Sequence, residues 1–247
     1  MSKDDGPAAS VAFRLARAVA ADVAILVVGL GLMLAAHPQA VPARLNPFAD
    51  LDIRESPGLF ISFKLTRARN DAGLCRSALT RAGIPFDPVD DQVTGDGCGY
   101  AAAVRIARVG RAALSSPALL SCRAALSLAM LEAHGLSVAS QEHLGSPVVR
   151  IDHLGTYACR NINHAPTGRR SRHATGDAID LGGFVLADGR RITLVRDWAS
   201  AEAGRSAFLR AARDHACRWF DVTLSPLYNS LHRDHLHLDI GGGRACR

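Results

Sequence analysis

Residues 171–180 read SRHATGDAID and residues 232–239 read HRDHLHLD. The two stretches hold four of the chain's ten histidines, where even spreading would put fewer than one. The second has a simple period. From His235 to Ile240, polar and apolar residues alternate, so a strand points His235, His237 and Asp239 to one face and Leu236, Leu238 and Ile240 into a core. In the first, Gly176 permits a tight turn after His173, and Asp180 opens an apolar strand over 179–185 that can lie beside the other.

Working outward, residues 72–83 have the apolar spacing of a short helix stopped by Gly83. Residues 85–99 are dense in turn residues and read as a loop. Residues 101–107 suit a strand, and 117–134 a helix with Pro117 near its start and Gly135 at its end. Residues 147–154 alternate as a strand, and 199–217 suit a second helix with His215 on its face. The expected class is α+β, a small antiparallel sheet flanked by helices.

The N-terminal end sets the compartment. Residues 18–36 form a 19-residue apolar run whose single charge is Asp22, with Lys3, Arg14 and Arg17 before it. As a helix it spans about 28 Å, one bilayer core. Positive charge on the near side predicts a cytoplasmic segment over 1–17, a signal anchor over 18–36, a Pro-rich linker over 37–60, and a folded domain over 61–247 outside the inner membrane. A cleaved signal peptide, leaving a secreted domain, is the alternative, since small residues follow the run. The net charge of +6 comes from dispersed arginines, which argues against a nucleic-acid stripe and favours anionic envelope partners. The six cysteines form no CxxC pair, which excludes a zinc ribbon; in an exported chain the even count points to disulfides. The pairings expected are Cys217 with Cys246 and Cys122 with Cys159.

Two histidines and an aspartate suit zinc, which takes nitrogen and oxygen ligands and leaves its fourth position to water in catalytic sites. Such a water needs a base, and Asp234, His235 and His232 all lie within reach in sequence. The stretch SRHATGDAID resembles the SxHxxGxAxD motif of the zinc peptidases that include D-Ala-D-Ala carboxypeptidases. HLH resembles the second motif of the wider superfamily, with its murein endopeptidases and hedgehog signalling domain. More closely, residues 75–239 are similar to the bacterial extensin-like C-terminal domain, on Gly97-Cys98-Gly99, Tyr157-Ala158-Cys159-Arg160, Ala187-Asp188-Gly189-Arg190, Asp197-Trp198, Ala216-Cys217 and the two histidine stretches.

The superfamily resemblance implies His173, Asp180 and His237 as ligands of Zn2+. It implies Asp234 as base in the carboxypeptidase branch and His232 with His235 in the endopeptidase branch, and Arg160 as the residue that steadies a carboxylate or oxyanion. Arg172 stands where extensin-like relatives often carry an acid. The function implied is a membrane-anchored periplasmic zinc peptidase acting on peptidoglycan peptides. The alternative is a non-catalytic zinc module that binds or assembles a cell-envelope polymer.

Overall fold

The computed structural model describes residues 7–37 and 41–247. The expected cytoplasmic segment and linker therefore lie partly outside the described residues, at 1–6 and 38–40. Helix α1 (Pro7–Ala36) is 30 residues long, and its apolar stretch Phe13–Ala36 has the length and composition to cross a membrane. None of that stretch is buried.

The remainder runs α2 (Ile61–Arg69), α3 (Ala72–Arg81), β1 (Asp87–Val89), β2 (Gln92–Gly95), β3 (Cys98–Tyr100), β4 (Ala103–Val109), β5 (Ala112–Ser121), α4 (Cys122–Leu131), a π turn (Glu132–Leu136), α5 (Ser137–Leu144), β6 (Val148–Gly155), β7 (Ala178–Leu186), β8 (Arg191–Thr193), α6 (Leu194–Asp197), α7 (Ala203–Trp219), β9 (Val222–Leu224), β10 (Leu236–Asp239) and β11 (Ala245–Cys246). Nine strands among the described residues form one sheet in the order β1-β4-β5-β6-β7-β10-β9-β11, with β8 beside β7; β2 and β3 pair apart as a hairpin.

The sheet is mixed and larger than the small antiparallel one expected. β5 runs parallel to β6, and β11 parallel to β9. Parallel neighbours need a crossover, and α4 and α5 supply it between β5 and β6. Pro117 misled the sequence reading, because it lies in a strand. Between the pairs Arg108↔Ala113 and Ile106↔Ala118, β5 carries surplus residues, and Pro117 falls in that irregularity, where no ladder bond needs its missing N–H. The helix begins only at Cys122, with Ser121 as its cap. Gly135 does not stop it either, since the helical path continues through the π turn into α5. The glycine serves close approach: a Cβ there would come within 2.8 Å of the Cβ of His215 on α7.

The hydrophobic core lies between the sheet and the helices α2–α5 and α7, around Leu120, Leu126, Ile151, Phe184, Phe208 and Trp219. α3, β4, β6, β7, α7 and β10 fall where the periodicity put them, within a few residues. Residues 41–60, read as linker, contribute Leu51 and Ile53 to that core. The segment 85–99, read as loop, holds β1 and the β2–β3 hairpin; Gly99 is needed there because a Cβ would collide with the Gln92 carbonyl.

Three disulfides form: Cys75–Cys122, Cys98–Cys159 and Cys217–Cys246. The last is the pairing expected. Cys122 instead meets Cys75, because α4 packs on α3 and brings the two Cα atoms to 6.1 Å. Cys159, beyond the end of β6, is tied to the hairpin through Cys98.

Candidate metal centre

The two histidine stretches meet through strand register. β7 and β10 pair antiparallel with Asp180 directly opposite His237. Leu236, Leu238 and Ile240 enter the core, as the alternation requires. His173 comes from the 3₁₀ turn Arg172–Thr175 just before β7. Ser171 caps that turn by accepting from the His173 N–H, and Gly176 ends it in the left-handed conformation at φ +68°.

Asp177 fixes the turn in place. Its buried carboxylate accepts from the Ser121 hydroxyl at 2.6 Å, from Nε and Nη2 of Arg123 at 2.8 and 2.6 Å, and from the Thr175 hydroxyl at 2.7 Å. The sequence reading gave Asp177 no role. Two of its partners, Ser121 and Arg123, sit more than fifty residues away at the start of α4, and no local pattern announces them.

The geometry at the centre is close. Nε2 of His173 lies 3.2 Å from Nδ1 of His237 and 3.2 Å from Oδ2 of Asp180. Nδ1 of His237 lies 2.9 Å from Oδ1 of Asp180. Each imidazole is oriented from behind. His173 donates its Nδ1–H to the Thr156 carbonyl, and His237 donates its Nε2–H to Asp239 at 3.1 Å. Both rings therefore present their other nitrogen, with its lone pair, to the same point. Two facing lone pairs repel unless a cation lies between them. Without such a cation, a second proton on His237 would answer this. Burial opposes that proton, but the carboxylates of Asp180 and Asp239 outweigh burial and push the imidazole up to about 9. Burial would likewise raise the Asp180 carboxyl, yet its close contacts with the imidazoles of His173 and His237 hold it far below the usual carboxylate range.

The residues present fit a zinc ion. The ligand atoms of His173, Asp180 and His237 all lie within 4.8 Å of one another. A tetrahedron with bonds of about 2.0–2.1 Å has edges of about 3.3 Å, close to the nitrogen and oxygen separations here. One oxygen of Asp239, a residue only 6% exposed, has no hydrogen-bond partner and completes a second layer of charge behind His237. The alternation of residues 235–240 already placed Asp239 on this face. The Thr156 carbonyl is backbone and had no sequence signal.

The remaining candidates cluster around the same point. Asp234 accepts the Nδ1–H of His235 at 2.8 Å, which leaves Nε2 of His235 free at 3.7 Å from Oδ1 of Asp180. His232 donates its Nδ1–H to Asn229 at 2.8 Å, and its ring stands 5.2 Å from that of His235. Burial, with His235 and His237 nearby, holds His232 down to about 4. Arg160 reaches 3.9 Å from Oδ2 of Asp180 and is held by pairing of its backbone with Ser171. Arg160, His232 and His235 line a cleft of about 500 Å³ together with Asp180 and His237. Its lining includes five arginines (Arg160, Arg169, Arg170, Arg172 and Arg247) against the carboxylates Asp180 and Asp239. A larger cavity of about 870 Å³ lies at the β2–β3 hairpin; it shares only Arg172 with the cleft and contains none of His173, Asp180 and His237.

No curated protein matches the chain, and no solved structure does. The model of the family described as extensin-like protein C-terminus matches residues 73–247, which include every residue of the cleft. The chain therefore belongs to the extensin-like protein C-terminus family.

Proposed function

We propose that this protein is a membrane-anchored, zinc-dependent peptidase of the bacterial periplasm, related to the D-Ala-D-Ala carboxypeptidases and murein endopeptidases and acting on peptidoglycan stem peptides or cross-links. The observation that carries the reading is the convergence of Nε2 of His173 and Nδ1 of His237 on each other and on the Asp180 carboxylate. His173, Asp180 and His237 would hold the ion. Zinc, when bound, supplies an acidified water and a Lewis acid for a peptide carbonyl.

The chain's own groups supply the rest. Asp234 keeps the proton on Nδ1 of His235, so Nε2 is the atom that takes a proton at the cleft floor and returns it to the leaving amine. His235 fits that role better than His232, whose imidazole is held too low to be an effective base at neutral pH. Arg160 sets a guanidinium beside Asp180, where a developing oxyanion or a substrate carboxylate would lie. The arginine-rich lining favours a peptide with free carboxylates. Helix α1, with Lys3, Arg14 and Arg17 at its near side, supports anchoring with the domain outside the cytoplasm.

The test is elemental analysis of the detergent-solubilised full chain beside His173→Ala, followed by digestion of purified peptidoglycan. The reading expects one zinc per chain, none in the variant, and released peptides that His235→Ala abolishes while keeping its zinc. Zinc without released peptides would leave a binding or assembly module. No zinc in either chain would end the metallopeptidase reading.

A further inference from the structure

Four apolar side chains just after the anchor helix remain in solvent: Leu45 is 50% exposed, Phe48 40%, Leu59 84% and Phe63 50%. They come from two segments that are clamped together. Lys64 on α2 donates to the Ala43 carbonyl at 2.6 Å, and Arg67 on α2 donates to the carbonyls of Phe48 at 2.7 Å and Ala49 at 3.2 Å. The clamp sets the rings of Phe48 and Phe63 edge to face at 6.4 Å. Leu59 lies two residues before the first residue of α2, on the same segment as Phe63. The domain has a core within reach and does not use it for these residues: their neighbours Leu51, Ile53 and Leu65 are buried there.

The tether limits what can meet this face. Leu45 follows Ala36, the last residue of α1, by nine positions, which extend to about 30 Å at most. A surface that begins one short tether from a membrane-crossing helix stays within a domain's width of that membrane. Apolar and aromatic side chains favour the bilayer interface. The neighbouring charges nearly cancel, with Arg44, Arg54, Lys64 and Arg67 against Asp50, Asp52 and Glu55, so attraction to anionic head groups is not what the face offers. We propose that Leu45, Phe48, Leu59 and Phe63 form a lipid-contacting face that beds the domain on the bilayer crossed by α1. The inference rests on the anchor reading given under Proposed function.

The test places tryptophan reporters in the full chain, reconstituted in phosphatidylcholine vesicles that contain acyl-brominated lipid. Phe48→Trp and Leu59→Trp report on the face; Val93→Trp, on the exposed hairpin, is the control. The native Trp198 and Trp219 are buried and give a common background. Both face reporters should lose emission to bromine, the control should lose none, and raising the salt should change neither. Face reporters quenched no more than the control overturn the proposal. A blue shift without quenching also overturns it, because the face is then covered by α1 or by a second copy of the chain. Alkaline extraction of the same vesicles tests the anchor separately. A chain that resists extraction with unquenched reporters refutes the face and keeps the anchor; quenched reporters on an extractable chain support the face and refute the anchor.

Discussion

Glu132 sits at the start of the π turn with its carboxyl packed on Gly110, where any Cβ would collide with it. Its partners, the Arg111 N–H and the Ser137 hydroxyl, are both at a long 3.4 Å. Burial raises this acid above its ordinary value of 4.5, and those two bonds offset the effect only in part. The folded state then keeps a proton that the unfolded chain has already lost. Stability falls as pH rises from about 4.5 through the raised value, and above that the loss is complete. Glu132→Gln cannot ionise. It should melt a few degrees above the parent at pH about 8, with the gap closing near pH 4. Thermal melts at both values check this, and an equal difference at the two would show that charge is not the cause. The candidate metal-site residues differ from Glu132 in how visible they are. His173, Asp180 and His237 stood out because ligands must be particular residue types at particular spacings. Asp177 and Glu132 act through partners brought by the fold, and those leave no local mark.

At the scale of elements, the contact between the π turn and α7 is the tightest place to test. Gly135→Ala puts a methyl 2.8 Å from the His215 Cβ and 2.8 Å from a Leu131 methyl. Helix propensity alone would favour alanine by about 1 kcal/mol. Overpacking costs about 1–3 kcal/mol, and both neighbouring helices must move to relieve it. Net destabilisation is therefore expected by urea titration, and a gain would mean that α7 shifts freely. The same turn explains part of what the sequence concealed. A glycine after a helical run reads as a stop, yet here it marks where another helix comes close. Periodicity located β6, β7, β10 and α7 because each carries a regular apolar face. It failed on β5, where the polar pair Ser115-Ser116 and Pro117 interrupt the alternation, and the strand runs straight into a helix. Missing β5 also hid the parallel crossover, and with it the mixed sheet.

Across the whole molecule, the three disulfides divide the work of holding the fold. Cys75–Cys122 joins two core helices, and Cys217–Cys246 fastens the last strand to α7. Cys98–Cys159 ties an outlying hairpin to the segment that ends at Arg160. Replacing Cys98 and Cys159 by serine together should cost about 2–4 kcal/mol by denaturant titration. Any zinc that the parent chain binds should be retained, because His173, Asp180 and His237 are placed by β7, β10 and the turn fixed on Asp177. Loss of zinc in that variant would show that the hairpin supports the site after all. Even cysteine count and an apolar N-terminal run foretold the disulfides as a class, but pairing depends on which elements touch, and spacing does not carry that. The last residues add a practical consequence. Arg247 exchanges backbone hydrogen bonds with Thr223 and Ser225 beside β9, and its side chain lines the cleft. A purification handle or reporter fused after Arg247 would leave from the lip of the opening and crowd whatever enters it. Assays on this protein are better built on a chain held from its other end.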